Sequence, residues 1–325
     1  VREESKLLDQ FDPYVSRINE ELGKVLDSDV PLIREVGTYG LLGGGKRLRP
    51  LFFILSCQLC NYHESDIYTL SAIFECLHAA SLLHDDVLDN ASIRRGGSSA
   101  NKIWGNSAAV LVGDFLFSKS SRMLVEKKHI EFLKILADTA IRMTEGQILE
   151  LVNTHNWNIT IREYIGIITS KTAALISAAC ASAGIVAGAK QADIQSLKNF
   201  GLNMGIAFQI VDDVFDYTST VEKAGKPIGK DLREGKITLP LIYTLTYLKK
   251  GERERLEHLF KNGKALDKDY LRIIELVQDN GAINRCRKDA QDYANLAETH
   301  LSLFPDSPIR ESLLELNQFI VNRSS

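Results

Sequence analysis

Apolar residues recur at three- and four-residue intervals along most of this 325-residue chain. The pattern runs through Leu51–Asp89, Ala108–Val125, Ile130–Val152, Ile161–Ala187 and Ala192–Tyr217. That is the period of an α-helix with a buried face. Only seven prolines are present, so long helices meet few breakers. Segments such as Thr172–Ala187 and Gly205–Phe215 are apolar on most faces and belong where other helices surround them. No series of short alternating strands, no low-complexity linker and no repeat of about 20–50 residues is evident. The pattern predicts an all-α fold, one large helical bundle in a single domain over 1–325.

Composition narrows the function. Hydrophobic residues make up 45 %, enough for a sizeable core, and the net charge is only -3. Such a balance gives no nucleic-acid surface, so any anion site must be built locally. No apolar run reaches the roughly 18 residues of a membrane span. Val1–Gln10 is charged and lacks a signal-peptide core. A cytoplasmic protein with no transmembrane segment is expected, at most peripheral to a membrane. The five cysteines are scattered, and Cys57-x-x-Cys60 sits in an apolar helical run without a second pair. Buried thiols are expected there, in preference to a disulfide, redox or zinc site.

Two acidic clusters share one spacing: Asp85-Asp86-Val87-Leu88-Asp89 and Asp212-Asp213-Val214-Phe215-Asp216. In each, the first and last carboxylates lie one turn apart on the same helix face. They repel unless a cation lies between them. Hard oxygen ligands suit magnesium, which takes one or two carboxylates, waters and substrate phosphate oxygens. One such cluster could be a solvated helix end. Two, each inside an apolar helix, favour metal binding, because unpaired charge there is costly. The glycine-turned spacing of a calcium loop is absent.

Basic residues cluster in loops beside these helices. Gly43-Gly44-Gly45 leads into Lys46, Arg47 and Arg49; Arg94-Arg95-Gly96 follows the first cluster; Gly225-Lys226-Pro227 follows the second. Lys171-Thr172 and Lys236 stand apart. An arginine fork can bind two diphosphate oxygens at once, and lysine adds a point charge. Their dispersal predicts two anion sites, one against metals and one held by cations. Taken singly, each would be an ordinary surface charge. The glycine run lacks the P-loop spacing and follows no strand.

In order along the chain, these segments resemble the trans-isoprenyl diphosphate synthases. The matches are Gly44-Gly45-Lys46-Arg47-Leu48-Arg49-Pro50, Leu83-His84-Asp85-Asp86-Val87-Leu88-Asp89, Arg94-Arg95-Gly96, Gly113-Asp114-Phe115-Leu116 and Lys171-Thr172. Gln209–Asp216, Gly225–Leu232 and Glu234-Gly235-Lys236 complete them. They cover roughly 40–245; the C-terminal third carries no usable motif. The resemblance implies about ten or more core helices around a deep central cavity, and a homodimer. It implies magnesium-dependent, head-to-tail condensation of isopentenyl diphosphate with an allylic diphosphate, using roughly three metal ions per active site. Carried over position by position, Asp85, Asp89 and Asp212 are direct metal ligands, with Asp86, Asp213 and Asp216 supporting them. Arg94, Lys171, Thr172, Gln209 and Lys226 hold the allylic diphosphate, with Lys236 near it. Lys46, Arg49, His78 and Arg95 hold the isopentenyl diphosphate. No nucleophile triad is present, which agrees with a reaction needing no side-chain base. His84 is read as a packed or hydrogen-bonded residue.

The same resemblance places chain-length control just upstream of the first aspartate. Ala80 and Ser81 are small, so a growing tail can pass. Phe74 lies about 16 Å deeper at 1.5 Å per residue and is a candidate floor or an inter-helix packing residue. With no ring at those two positions to stop a tail running along the helix, a product beyond about twenty carbons, roughly the octaprenyl class, is expected. The alternatives are a farnesyl or geranylgeranyl diphosphate synthase, a terpene cyclase, a diphosphate hydrolase, or a non-catalytic regulatory subunit. Cyclases usually pair one aspartate-rich motif with a different second one, and regulatory subunits tend to lose cluster residues.

Overall fold

The structure, a computed structural model, describes residues 9–218 and 229–323. In chain order the helices are α1 Asp12–Val25, α2 Pro31–Gly37, α3 Leu48–Leu59, α4 Ile67–Leu88, α5 Ala100–Trp104, α6 Asn106–Glu126 and α7 Ile130–Val152. Then follow α8 Ile161–Ile168, α9 Ala174–Val186, α10 Gln191–Thr218, α11 Lys230–Arg233, α12 Leu239–Tyr247, α13 Lys250–Lys261, α14 Asp267–Asp279, α15 Ala282–Leu301 and α16 Pro308–Asn322. The only sheet among the described residues is a two-stranded hairpin, β1 Ile93–Arg94 with β2 Gly97–Ser98. The fold is all-α, as the periodicity predicts.

The boundaries differ from the sequence reading in three instructive places. The run Leu51–Asp89 is two helices, because Cys60–Asp66 turns the chain between α3 and α4. The loop after the first cluster is a hairpin that holds Arg94 and Arg95, with Arg95 (φ 50°) and Gly96 (φ 77°) forming its turn. Two left-handed residues suit the twist of a two-residue hairpin. The run Ile161–Ala187 contains a wider π turn at Thr169–Ala173, which holds Lys171 and Thr172. Such turns often mark functional positions. A Cβ on Gly146 would come within 2.6 Å of the Lys171 backbone nitrogen, so glycine is required for α7 to approach that turn.

The stretch Ile161–Val186 has the length and composition of a membrane span, with a mean hydropathy of 1.4, yet 67 % of that window is buried inside the protein. Core helices have the same composition.

The chain divides into two compact units. Unit 1 comprises Val1–Ile141, Leu175–Gly201 and Thr299–Leu316. Helix α4 packs there chiefly against α6, α3 and α1. Its centre is aromatic: Phe74 sits 5.3 Å from Phe132 and 5.5 Å from Phe53, ring centre to ring centre. Unit 2 comprises Arg142–Ala174, Leu202–Glu298 and Asn317–Ser325. Trp157, Tyr164, Tyr217 and Phe260 anchor its core, with Ile210, Val214, Ile273 and Val277 packed among them. Burying such surface supplies about 25 cal/mol per Å².

Candidate active site

In unit 1 the first cluster closes helix α4. Asp85 and Asp86 lie in its last turn, and Asp89 follows the last helical residue, its N–H donating to the Asp85 carbonyl at 2.8 Å. Asp86 is buried. Its Oδ1 accepts from Arg94 Nε at 2.8 Å and Nη2 at 2.5 Å. Its carbonyl accepts from Ala91 N–H and Asn101 Nδ2. A charge-assisted pair of this kind ties the hairpin to the helix that carries the cluster. His84 bonds the Val110 carbonyl at 3.1 Å and packs where a Cβ on Gly113 would sit, which fits a packing role.

A second group of charges lies one to three turns back along α4. His78 is surrounded by guanidinium groups. Burial, then Arg49, Arg95, Arg94 and Arg47, push its imidazole well below the ordinary value. It is therefore neutral at physiological pH and can offer a hydrogen bond but no charge. Arg95 is itself held down by burial, with Glu75 opposing. A cavity of about 220 Å³ is lined by Asp86, Arg94, Arg95, Ala79, Leu82 and Tyr39. Ala80 is buried, and the Ser81 hydroxyl donates to the His78 carbonyl at 2.8 Å. Phe74 is fully buried in its aromatic triad.

In unit 2 the second cluster lies near the end of α10, and its members have different partners. Asp213 is fully engaged: Tyr164 donates its hydroxyl to Oδ2 at 2.6 Å and Gln209 Nε2 donates to Oδ1 at 2.7 Å. Thr172 extends this chain by donating to Gln209 Oε1 at 2.8 Å. Asp216 accepts the backbone N–H groups of Lys230 at 3.0 Å and Asp231 at 3.1 Å. Asp212 is ion-paired to Arg323. Lys171 pairs with Glu150 at 2.5 Å, and Lys236 with Glu234 at 2.8 Å. One pocket of about 150 Å³ brings Lys171, Thr172, Gln209, Lys236, Asp213 and Asp231 together. Lys226 lies outside the described residues.

The carboxylates of unit 2 are crowded. Burial, and next the Asp231 carboxylate, push Asp213 well above the usual range and Asp216 up to about 7. Burial also raises Asp231, against the pull of Lys236. Groups pushed up by mutual repulsion are stabilised by a nearby cation. Among the described residues, no three His, Cys, Asp or Glu side chains form a ready-made metal cage. The crowded carboxylates fit magnesium, which prefers a few carboxylates and completes its shell with water and phosphate oxygens.

Some functional candidates were not legible as such. Glu150, Tyr164 and Arg323 carry no motif spacing, and Asp231 lies in the Gly225–Leu232 match without a role of its own there. Glu75 had one signal: a lone carboxylate in the apolar run Ile73-Phe74-Glu75-Cys76-Leu77 must have a buried partner. The thiols match the expectation. Cys57 is buried, Cys60 is partly so, and burial raises both, Cys60 to about 11.

Known proteins converge on one family. The family model for polyprenyl synthetase matches residues 30–277. The octaprenyl diphosphate synthase of Haemophilus influenzae is 35 % identical over 316 residues, 96 % of this chain and 95 % of that protein. A polyprenyl synthase structure from Caulobacter crescentus, complexed with calcium and isoprenyl diphosphate, superposes with a TM-score of 0.94 at 36 % identity, covering 99 % and 98 % of the two chains. A decaprenyl diphosphate synthase structure from Rhodobacter capsulatus gives 0.92 at 34 % identity, covering 99 % of each. The chain belongs to the polyprenyl synthetase family.

Proposed function

We propose that the chain is a magnesium-dependent prenyltransferase that condenses isopentenyl diphosphate head-to-tail with an allylic diphosphate, making a polyprenyl diphosphate. The observation that carries this reading is the unit 2 pocket, where Lys171, Thr172, Gln209 and Lys236 meet the crowded Asp213 and Asp231. Cations and carboxylates mixed in one pocket suit a metal-bound diphosphate better than either alone. The arginines around His78 in unit 1 supply a second, metal-free anion site.

Asp85, Asp89 and Asp212 are proposed as direct ligands of magnesium, roughly three ions per site. Asp86, Asp213 and Asp216, each held by protein donors, support them. When bound, magnesium neutralises the charge that develops on the departing diphosphate. Lys171, Arg94, Gln209, Thr172 and Lys236 hold those oxygens in place, as does Lys226. Lys46, Arg49 and Arg95 bind the isopentenyl diphosphate, with neutral His78 as a hydrogen-bonding group. Fixed cations aimed at developing charge lower the barrier to ionisation. The isopentenyl double bond then attacks the allylic carbon, and the proton lost goes to the diphosphate released.

The product is proposed to exceed about twenty carbons, since small Ala80 and Ser81 let a tail pass along that face of the helix. Phe74, stacked with Phe132 and tilted against Phe53, is proposed to pack between helices, because a floor there would stop a tail short of that length. The names of the octaprenyl and decaprenyl relatives support this class. Units 1 and 2 are proposed to work as one catalytic domain in a homodimer. Exposed Val110, Leu111, Phe117 and Val125 on α6 give unit 1 an apolar face of the kind dimers cover. A cytoplasmic enzyme that releases product at a membrane surface completes the proposal.

The test is incubation with magnesium, an allylic diphosphate and labelled isopentenyl diphosphate. Elongated prenyl diphosphates beyond about twenty carbons are expected if Ala80 and Ser81 let the tail pass. Cyclic hydrocarbon, phosphate release without elongation, or no turnover would each overturn the reading.

A further inference from the structure

The loop before α3 has little geometry of its own. Gly44 and Gly45 have φ of 101° and 129°, and Arg47 is left-handed at 51° while capping α3. A non-glycine residue in that conformation persists only where its surroundings impose it. Here the surroundings are identifiable. The Arg47 guanidinium is buried, with Nη1 on Glu75 Oε1 of α4 at 2.7 Å and Nε on Asn19 Oδ1 of α1 at 2.9 Å. Both side chains of the ion pair are nearly sealed, at 2 % and 5 % exposure. A Cβ on Gly45 would lie 3.4 Å from the Arg47 guanidinium and 3.7 Å from that of Arg95. Arg47 therefore faces inward, although its neighbours Lys46 and Arg49 share its charge.

We propose that Glu75 is a positioning residue: by clamping Arg47 with Asn19, it fixes the glycine loop and with it the placement of Lys46 and Arg49 toward the isopentenyl diphosphate. The inference rests on the two-site reading given above. Glu75 lies three residues before His78 on α4, so the clamp and the hydrogen-bonding imidazole share one helix face. It is also a counter-charge amid Arg47 and Arg95, which lets a guanidinium cluster persist before any anion arrives. The clamp acts on one substrate only, because its loop carries no residue assigned to the allylic diphosphate.

Steady-state kinetics of the full chain test this, with both substrates varied. Glu75→Gln keeps shape and removes the charge. Arg47→Met combined with Glu75→Leu removes both charges, so that no unpaired charge is left buried. Both variants should fold by circular dichroism. The KM for isopentenyl diphosphate should rise about tenfold or more, with the allylic KM within about twofold of wild type. A folded double variant with an unchanged isopentenyl diphosphate KM overturns the inference. So does an equal rise in both KM values, or failure of both variants to fold, since the pair would then serve the fold alone. A wild-type chain that makes no elongated product would instead sink the proposed function itself, and this inference with it.

Discussion

The two acidic clusters have the same spacing and different surroundings. In unit 1, Asp86 is answered by a guanidinium eight residues on, and the cluster sits at a helix end. In unit 2, Asp213 is answered by neutral donors, Tyr164 and Gln209, and the cluster crowds against Asp231. In the first cluster Arg94 offsets the charge of the buried Asp86. In the second cluster Arg323 answers Asp212, while burial and the nearby Asp231 make the charged forms of Asp213 and Asp216 costly unless a cation is near. One motif therefore defines two electrostatic settings: an arginine on a supporting carboxylate in the first, and an arginine on Asp212 beside crowded, buried carboxylates in the second.

The largest expected effect tests what the clusters share. Asp85→Ala and Asp212→Ala should each cut turnover by about a thousandfold or more, with the fold intact by circular dichroism. Near-normal activity at ordinary magnesium would remove that aspartate from the proposed ligand set. Asp213→Asn should cost less, about tenfold, because its carboxylate is already spent on Tyr164 and Gln209. If Asp213→Asn proved as damaging as Asp212→Ala, the division between direct and supporting carboxylates would fail.

The clusters were legible because a one-to-five spacing is itself a helix period, so sequence alone places two carboxylates on one face. The all-α class was legible for the same reason. Partners were not. Lys171 meets Glu150 from 21 residues away, Tyr164 meets Asp213 from 49, and Arg323 meets Asp212 from 111. Packing sets such pairs, and no local pattern encodes them. The π turn at Thr169–Ala173 left no trace either, since one extra residue in a turn barely disturbs an apolar run read over 26 residues. The sequence shows Arg94 and Arg95 only as a loop after the first cluster, because a hairpin with two residues per strand is too short for alternation to show.

A middle-sized effect separates the helices upstream of the clusters. Five residues before Asp85 stands buried Ala80; four before Asp212 stands Phe208, under the Arg323 guanidinium at 4.4 Å. Ala80→Phe should shorten the product by about one or more five-carbon units, since a ring spans roughly the added length. Phe208→Ala should leave product length alone. Unchanged chromatograms for Ala80→Phe would sink the gating role, and shorter products from Phe208→Ala would blur the distinction between the two helices.

The smallest effect concerns Arg323, close to the C-terminal end of the chain. Its guanidinium stacks over Phe208 and Phe215 and pairs with Asp212, the proposed direct ligand of the second cluster. The first cluster's arginine holds a supporting carboxylate instead. A guanidinium on Asp212 competes with magnesium for the same oxygens, so metal binding there must first displace it. The side chain of Arg323 is 10 % exposed and that of Asp212 38 %, so the pair is partly screened by solvent. Removing it should therefore help the metal while weakening the C-terminal segment. Arg323→Ala is expected to lower the magnesium concentration for half-maximal activity by about two- to fivefold, with a small loss of melting temperature. The matching Arg94→Ala should raise that concentration, because Asp86 would lose its partner and the helix end its tie to the hairpin. If both variants moved the magnesium requirement in the same direction, the two clusters would be electrostatically alike after all.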